Sequence, residues 1–269
     1  MAEQQQAPAA PKDAMSFWEH LDVLRGVLFR IATVTVLFAV VAFFLKEPLF
    51  DIVLAPRSSS FVVYRLFDRL ALLSGADADI FSVHLINTGL AQQFMIHVKM
   101  ALCTGVILAS PYILYQLFRF VSPALYANER RYATHTVGAG YAMFLLGMLL
   151  GYYLIFPLTF RFLGTYQVSA DVPNLITLDS YISTLLLICL SMGIVFEIPV
   201  LSWLLARMGL LSAAYMRRYR RHAVVIILVL AAIITPTSDV LTLLAVSLPM
   251  WLLYEFSILL VARTRPKTA

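Results

Sequence analysis

The sequence predicts an all-α polytopic membrane protein: six transmembrane helices in a bent, concave bundle, with both termini on the cytoplasmic side. Three observations carry this. The 269 residues are 61% hydrophobic and only 13% charged, whereas a soluble domain is nearer half apolar and a quarter charged. The apolar residues come in long helical runs, not ten-residue alternating ones, which excludes a membrane β-barrel. The segments between the runs alternate in basic content, with thirteen Lys and Arg on one side and five on the other. By the positive-inside rule the richer side is cytoplasmic.

Residues 1–14, MAEQQQAPAAPKDA, are polar and lack the apolar stretch of a signal peptide, so they read as a disordered cytoplasmic tail. Residues 15–265 then form one membrane domain. Its first span, 27–45, follows the amphipathic start SFWEHLDVLRGVL. The long loop that comes next contains FVVYRLFDRLALL, 61–73, apolar at helical spacing with Arg65, Asp68 and Arg69 on another face. It lies on the outer membrane surface or packs on the protein's own core.

The second and third spans, 93–117 and 134–162, flank a loop with Arg119, Arg130 and Arg131. Gly147 and Gly151 have the GxxxG spacing that lets helices approach closely, a pattern apolar sequence also produces by chance. The fourth span, 181–205, includes SMGIVFEIPVLSWLL and so buries Glu197 in an apolar run. The fifth, 223–236, has about 12 uninterrupted apolar residues, roughly 18 Å against a hydrocarbon core of about 30 Å. Such a helix thins the bilayer or shelters against partners. The sixth span is 240–261. Pro111, Pro157, Pro199 and Pro249 fall in four different spans and are expected to kink them. Cys103 and Cys189 sit in apolar runs and read as buried free thiols, with no disulfide framework and no metal cluster. No cofactor is implied.

The loop after the second span reads SPYILYQLFRFVSPALYANERRY, 110–132. In order around it stand HLxxLR (His20, Leu21, Leu24, Arg25), FPLxF (156–160), FEIPV (196–200), TP..D (Thr235, Pro236, Asp239) and PMWLLYE (249–255). Together these resemble the TatC family, the multispanning core subunit of the twin-arginine protein translocase, over nearly the whole chain after the tail. The resemblance implies a concave, glove-like six-helix fold whose last two helices are short. It implies a receptor in the bacterial inner membrane for signal peptides bearing consecutive arginines. Its partners would be the single-span TatA and TatB in an oligomeric complex, and its work the export of folded proteins on the proton-motive force.

Paired arginines are best recognised by carboxylates, because a guanidinium meets a carboxylate with two parallel hydrogen bonds and keeps its charge. Glu129 matches the family's signal-binding glutamate. A charge-assisted bond there is worth about 1.5–3 kcal/mol if partly shielded and under about 1 if solvated. The alternative is that Glu129 pairs internally with Arg130, Arg131 or Arg25. The first helix departs from the family: where TatC usually has HLxELR, this chain has Val23 in place of the second glutamate. Asp22 is one residue away, about 100° around a helix. Glu19 is one turn earlier on the same face and is the candidate replacement; its alternative is an acid placed favourably in a first turn. Phe120, Pro123, Leu125 and Tyr126 would be an apolar floor for the signal peptide, or simply loop packing.

Glu197 is the central intramembrane acid. Charge at the bilayer centre costs about 2.5–3.5 kcal/mol on insertion scales, so the carboxyl should be held protonated, face a wet hollow or a polar partner, or be satisfied by Ser or Thr neighbours. The resemblance implies a contact with the spans of TatA and TatB. Gln92, in TGLAQQF (88–94), stands where the family often has a titratable glutamate. Glu255 matches a family position nearer the cytoplasmic end and is free to snorkel. Pro56 and Asp239 are the periplasmic candidates, and Asp239 also suits the N-cap of the sixth helix. Lys99 and His97 read as snorkelling side chains.

Other classes fare less well. A transporter or channel subunit for a small solute would share intramembrane acids and broken helices, but the halves show no internal repeat. No H-E-x-x-H, no G-x-S-x-G and no cysteine with a nearby base argues for an enzyme. Without a solvated basic domain, nucleic acid is not a partner.

Overall fold

A computed structural model describes residues 17–58, 60–66, 84–121, 130–166, 169, 174–235 and 239–264. Helix α1 (Phe17–Phe44) leads through α2 (Lys46–Leu54) and a 3₁₀ turn (Ala55–Arg57) into the first loop. After β1 (Leu85–Ile86) come α3 (Gln92–Val121) and α4 (Arg130–Leu150), the latter continuing through a π-helical segment, Gly151–Ile155, into α5 (Phe156–Thr165). Strand β2 (Ile176–Thr177) precedes α6 (Leu178–Val195), α7 (Ile198–Arg207), the short α8 (Ala213–Arg218), α9 (Arg220–Ile234) and α10 (Val240–Arg263).

Among the described residues, five helical stretches are long and apolar enough to cross a membrane: Leu21–Phe44, Gln92–Phe120, Thr136–Thr165, Leu178–Arg207 and Val240–Arg263. The segment expected as the fifth span, α9, has 15 residues, so it is about 22 Å long and falls short of a hydrocarbon core of about 30 Å.

Helices in lipid associate through close backbone approach rather than a hydrophobic drive, and small residues mark the seams. A methyl group built on Gly105 of α3 would lie 2.8 Å from both Ala39 Cβ and the Thr35 carbonyl oxygen of α1. Gly147 meets the Met192 carbonyl oxygen and Phe196, Gly151 lies against Cys189, and Gly193 lies against Phe144. The Gly147/Gly151 spacing is therefore an actual seam between the third and fourth spans. These pairs, with Gly140 opposite Glu197, make the third and fourth spans antiparallel. His97 at Phe43 and Gly105 at Ala39 make α1 and α3 antiparallel as well. Arg220 opposite Glu255 does the same for α9 and α10. Crossings alternate, so the start of α1 and the end of α10 share one face, here the terminal face; the connections 45–91 and 166–177 share the other, the loop face.

The four prolines behave differently. Pro199 follows a break, where Phe196 and Glu197 form a turn and the Glu197 N–H donates to Ile194 (3.1 Å) instead of continuing the α-helical ladder. Pro157 is the second residue of α5, directly after the π segment, where a missing N–H costs little. Pro111 and Pro249 instead sit inside continuous helices. At Pro111 the reason is visible: the Ser110 hydroxyl donates to the Ile107 carbonyl at 2.7 Å, the acceptor that a proline at 111 leaves without its usual partner.

The first loop is fastened to the helices by phenols. Tyr181 donates to the Val53 carbonyl (2.9 Å), Tyr152 to that of Ile52, and Tyr64 to that of Pro157 (3.3 Å). Burial pushes the Tyr64 phenol up, against a smaller opposing effect of Arg161, so it stays a donor. Phe61 and Tyr64 are buried while Val62 and Leu66 are exposed. The described part of the amphipathic stretch thus packs on the protein's own core; residues 67–73 lie outside the described residues. Strands β1 and β2 pair in parallel, Leu85 with Ile176 and Ile86 with Thr177, joining the two loop-face connections.

Candidate functional site

The Glu197 site forms where three spans converge. The break before Pro199 puts Glu197 at the N-cap of α7, where its side chain makes no capping bond. Its carboxylate sits against the Gly140 Cα–H, since a methyl there would stand 3.1 Å from Oε2 and 3.5 Å from the Phe118 ring. Glu197 is 7% exposed, and neither oxygen has a hydrogen-bond partner among the described residues. Two of the sequence-based expectations for it, an open hollow and Ser or Thr neighbours, are not met among the described residues. The carboxyl does not face an open hollow: both oxygens are buried at Gly140 of α4, and the Phe118 ring of α3 flanks that glycine. Nor is it satisfied by Ser or Thr neighbours. Burying such a group unpaired is costly, and Glu197 keeps two strong acceptors without donors.

The remaining intramembrane candidates have hydrogen-bond partners within the chain. Arg220, at the start of α9, donates to Glu255 at 2.6 Å. Gln92 accepts from the Thr88 and Gly89 N–H groups, both at 3.1 Å, and from the Thr88 hydroxyl; it closes the turn that begins α3. Lys99 donates to Asp179 (2.7 Å) and Ser183 (2.8 Å), linking α3 to α6 rather than snorkelling. His97 stacks on Phe43 at 4.1 Å and bonds its carbonyl. Asp239 caps α10 as expected, accepting from the Thr242 N–H at 2.8 Å. Pro56 is buried in the 3₁₀ turn after α2.

At the terminal face, Glu19 lies in the first turn of α1 and Asp22 is exposed one turn on. Arg25 is exposed, its guanidinium 5.7 Å from the Phe29 ring centre. Phe120 is half-buried near the end of α3. Glu129, Pro123, Leu125 and Tyr126 lie outside the described residues, as does the side chain of Glu19. The geometry therefore places Asp22, Arg25 and Phe120 on the terminal face and leaves the carboxylate pairing as a proposal.

Two features escaped sequence reasoning. Gly140, which forms the floor under Glu197, was legible only as one glycine in GAGY; nothing local marks it. The Lys99–Asp179 pair joins residues eighty positions apart, and only its opposite signs at matching span depth hinted at it.

A family model described as Sec-independent protein translocase protein (TatC) matches residues 19–249. A Sec-independent protein translocase protein TatC of Blattabacterium sp. is 33% identical over 253 residues, covering 92% of this chain and 95% of the relative. That of Koribacter versatilis is 34% identical, covering 94% and 87%. TatCy of Bacillus subtilis is 31% identical, covering 91% and 88%. A crystal structure described as the twin arginine translocase receptor TatC superposes with a TM-score of 0.73 at 31% identity, covering 90% of this chain and 98% of that one.

Proposed function

The chain belongs to the TatC family, and from that premise we propose that it is the receptor and core subunit of a twin-arginine translocase in a bacterial inner membrane. The observation that carries this reading is the match along nine-tenths of the chain to a solved twin arginine translocase receptor. The terminal face is cytoplasmic in this proposal, in keeping with its excess of arginine. Signal peptides bind there, their guanidinium groups meeting Glu129 and a second acid from α1, Glu19 in preference to Asp22. Phe120, Pro123, Leu125 and Tyr126 support the apolar part of the peptide beside them, with Arg25 at the edge of the patch.

TatA and TatB complete the complex, and folded cargo crosses at the expense of the proton-motive force. Glu197 is the contact for a partner's span. Its two unpartnered oxygens support this, because a polar group on another helix would relieve them. The enclosing residues set a condition on that contact: α4 has to move from α7 at Gly140, or Phe118 has to swing, before a donor arrives.

Photo-cross-linking from positions flanking Glu129 to a twin-arginine signal peptide tests the receptor reading. Labelling is expected to fall at least tenfold when the arginine pair is replaced by lysines, which keep the charge and lose the fork. It is also expected to fall with Glu19→Ala and to persist with Asp22→Ala. Equal labelling by the two peptides would overturn bidentate recognition, and full binding by Glu19→Ala would reject that residue.

A further inference from the structure

From the end of α8 into the start of α9 the chain carries four arginines in five residues, Arg217, Arg218, Arg220 and Arg221. This segment is docked. Met216 is buried with Ala206, Ile258 and Val261, the Tyr254 hydroxyl donates to the Met216 carbonyl at 2.9 Å, and Glu255 holds Arg220 at 2.6 Å. Arg217, Arg218 and Arg221 remain exposed, with no ion pair among the described residues. Beside them Tyr215 and Tyr219 are exposed, their ring centres 4.5 Å apart. Tyrosines of this kind settle at the headgroup level of a bilayer.

The length of α9 adds the second constraint. A helix of about 22 Å cannot reach both surfaces of a hydrocarbon core of about 30 Å, so lipid near its ends is drawn inward. The arginines at its N-terminal end therefore lie level with headgroup phosphates. Guanidinium is the side chain best matched to phosphate, through paired hydrogen bonds. Topology bias alone would be met by arginines in any loose loop. It requires neither the two ties that fix this segment to α10 nor the flanking aromatic pair.

We infer that Arg217, Arg218 and Arg221, framed by Tyr215 and Tyr219, form a binding site for the headgroup phosphate of an anionic phospholipid. The inference rests on the membrane-spanning reading of the chain and is independent of signal-peptide binding.

The test uses the full chain alone in nanodiscs, with spin-labelled phosphatidylglycerol or phosphatidylcholine and the protein-restricted fraction read by electron paramagnetic resonance. The chain is expected to favour phosphatidylglycerol. The preference should weaken by up to about fivefold for each arginine replaced in Arg217→Gln, Arg218→Gln and Arg221→Gln combined. The matching triple replacement by lysine should keep most of it, and Arg57→Gln, on the loop face, should leave it unchanged. Equal restriction of the two lipids overturns the site. So does undiminished preference in a glutamine variant that elutes as the parent does, or an equal loss in Arg57→Gln. Displacement of phosphatidylglycerol by inorganic phosphate would make this a free-anion site and overturn the lipid assignment. Because no peptide or partner is present, failure here leaves the receptor proposal standing, and failure of the peptide cross-link leaves this one standing.

Discussion

Two oxygens of Glu197 are buried at Gly140 with no donor among the described residues, and a buried polar group left unpaired costs about 1–3 kcal/mol. Glu197→Met keeps the length and removes both oxygens. It is expected to raise the thermal stability of the isolated chain by an amount of that order, read from unfolding in detergent, while lowering export by the assembled translocase. A destabilised variant would mean that the carboxyl already has a donor. The acid was legible in the sequence because a charged residue inside an apolar run violates the rule of its surroundings. Its enclosure was not, because what closes over it is a glycine and a phenyl ring, side chains without polar information. The Glu255–Arg220 pair was hidden for the opposite reason: Arg220 belongs to a different span, and pairing across helices leaves no trace in local spacing.

At the scale of the helices, glycine positions separate into those against backbone and those against side-chain ends. Gly147 faces the Met192 carbonyl oxygen and Gly140 the tip of Glu197. Gly147→Ala forces the third and fourth spans apart and is expected to destabilise by about 1–3 kcal/mol, the usual cost of overpacking. Gly140→Ala displaces only a flexible carboxyl and is expected to stay within about 1 kcal/mol of the parent, its better helix propensity offsetting the shift. Equal effects in thermal unfolding would refute the distinction. Span positions and the shortness of α9 were readable from hydropathy, because twenty apolar residues admit few other structures in lipid. Proline was a poorer guide. Pro199 marks a true break, whereas Pro111 is accommodated by the hydroxyl of its neighbour Ser110, a compensation that depends on side-chain rotamer and not on sequence pattern.

For the molecule as a whole, family membership was legible because six motifs occur in one order along nearly its full length. The pairing of β1 with β2 and the phenol bonds from Tyr64, Tyr152 and Tyr181 were not, since each joins segments distant in sequence through main-chain carbonyls that any residue could supply. Their positions are uneven: all lie on the loop face. Tongs riveted at one tip part only at the other, so any widening that admits a foreign helix starts from the opposite end. Deuterium uptake is accordingly expected to be slower in 46–57 and 176–181 than in 198–210; the reverse order would move the pivot across the bilayer.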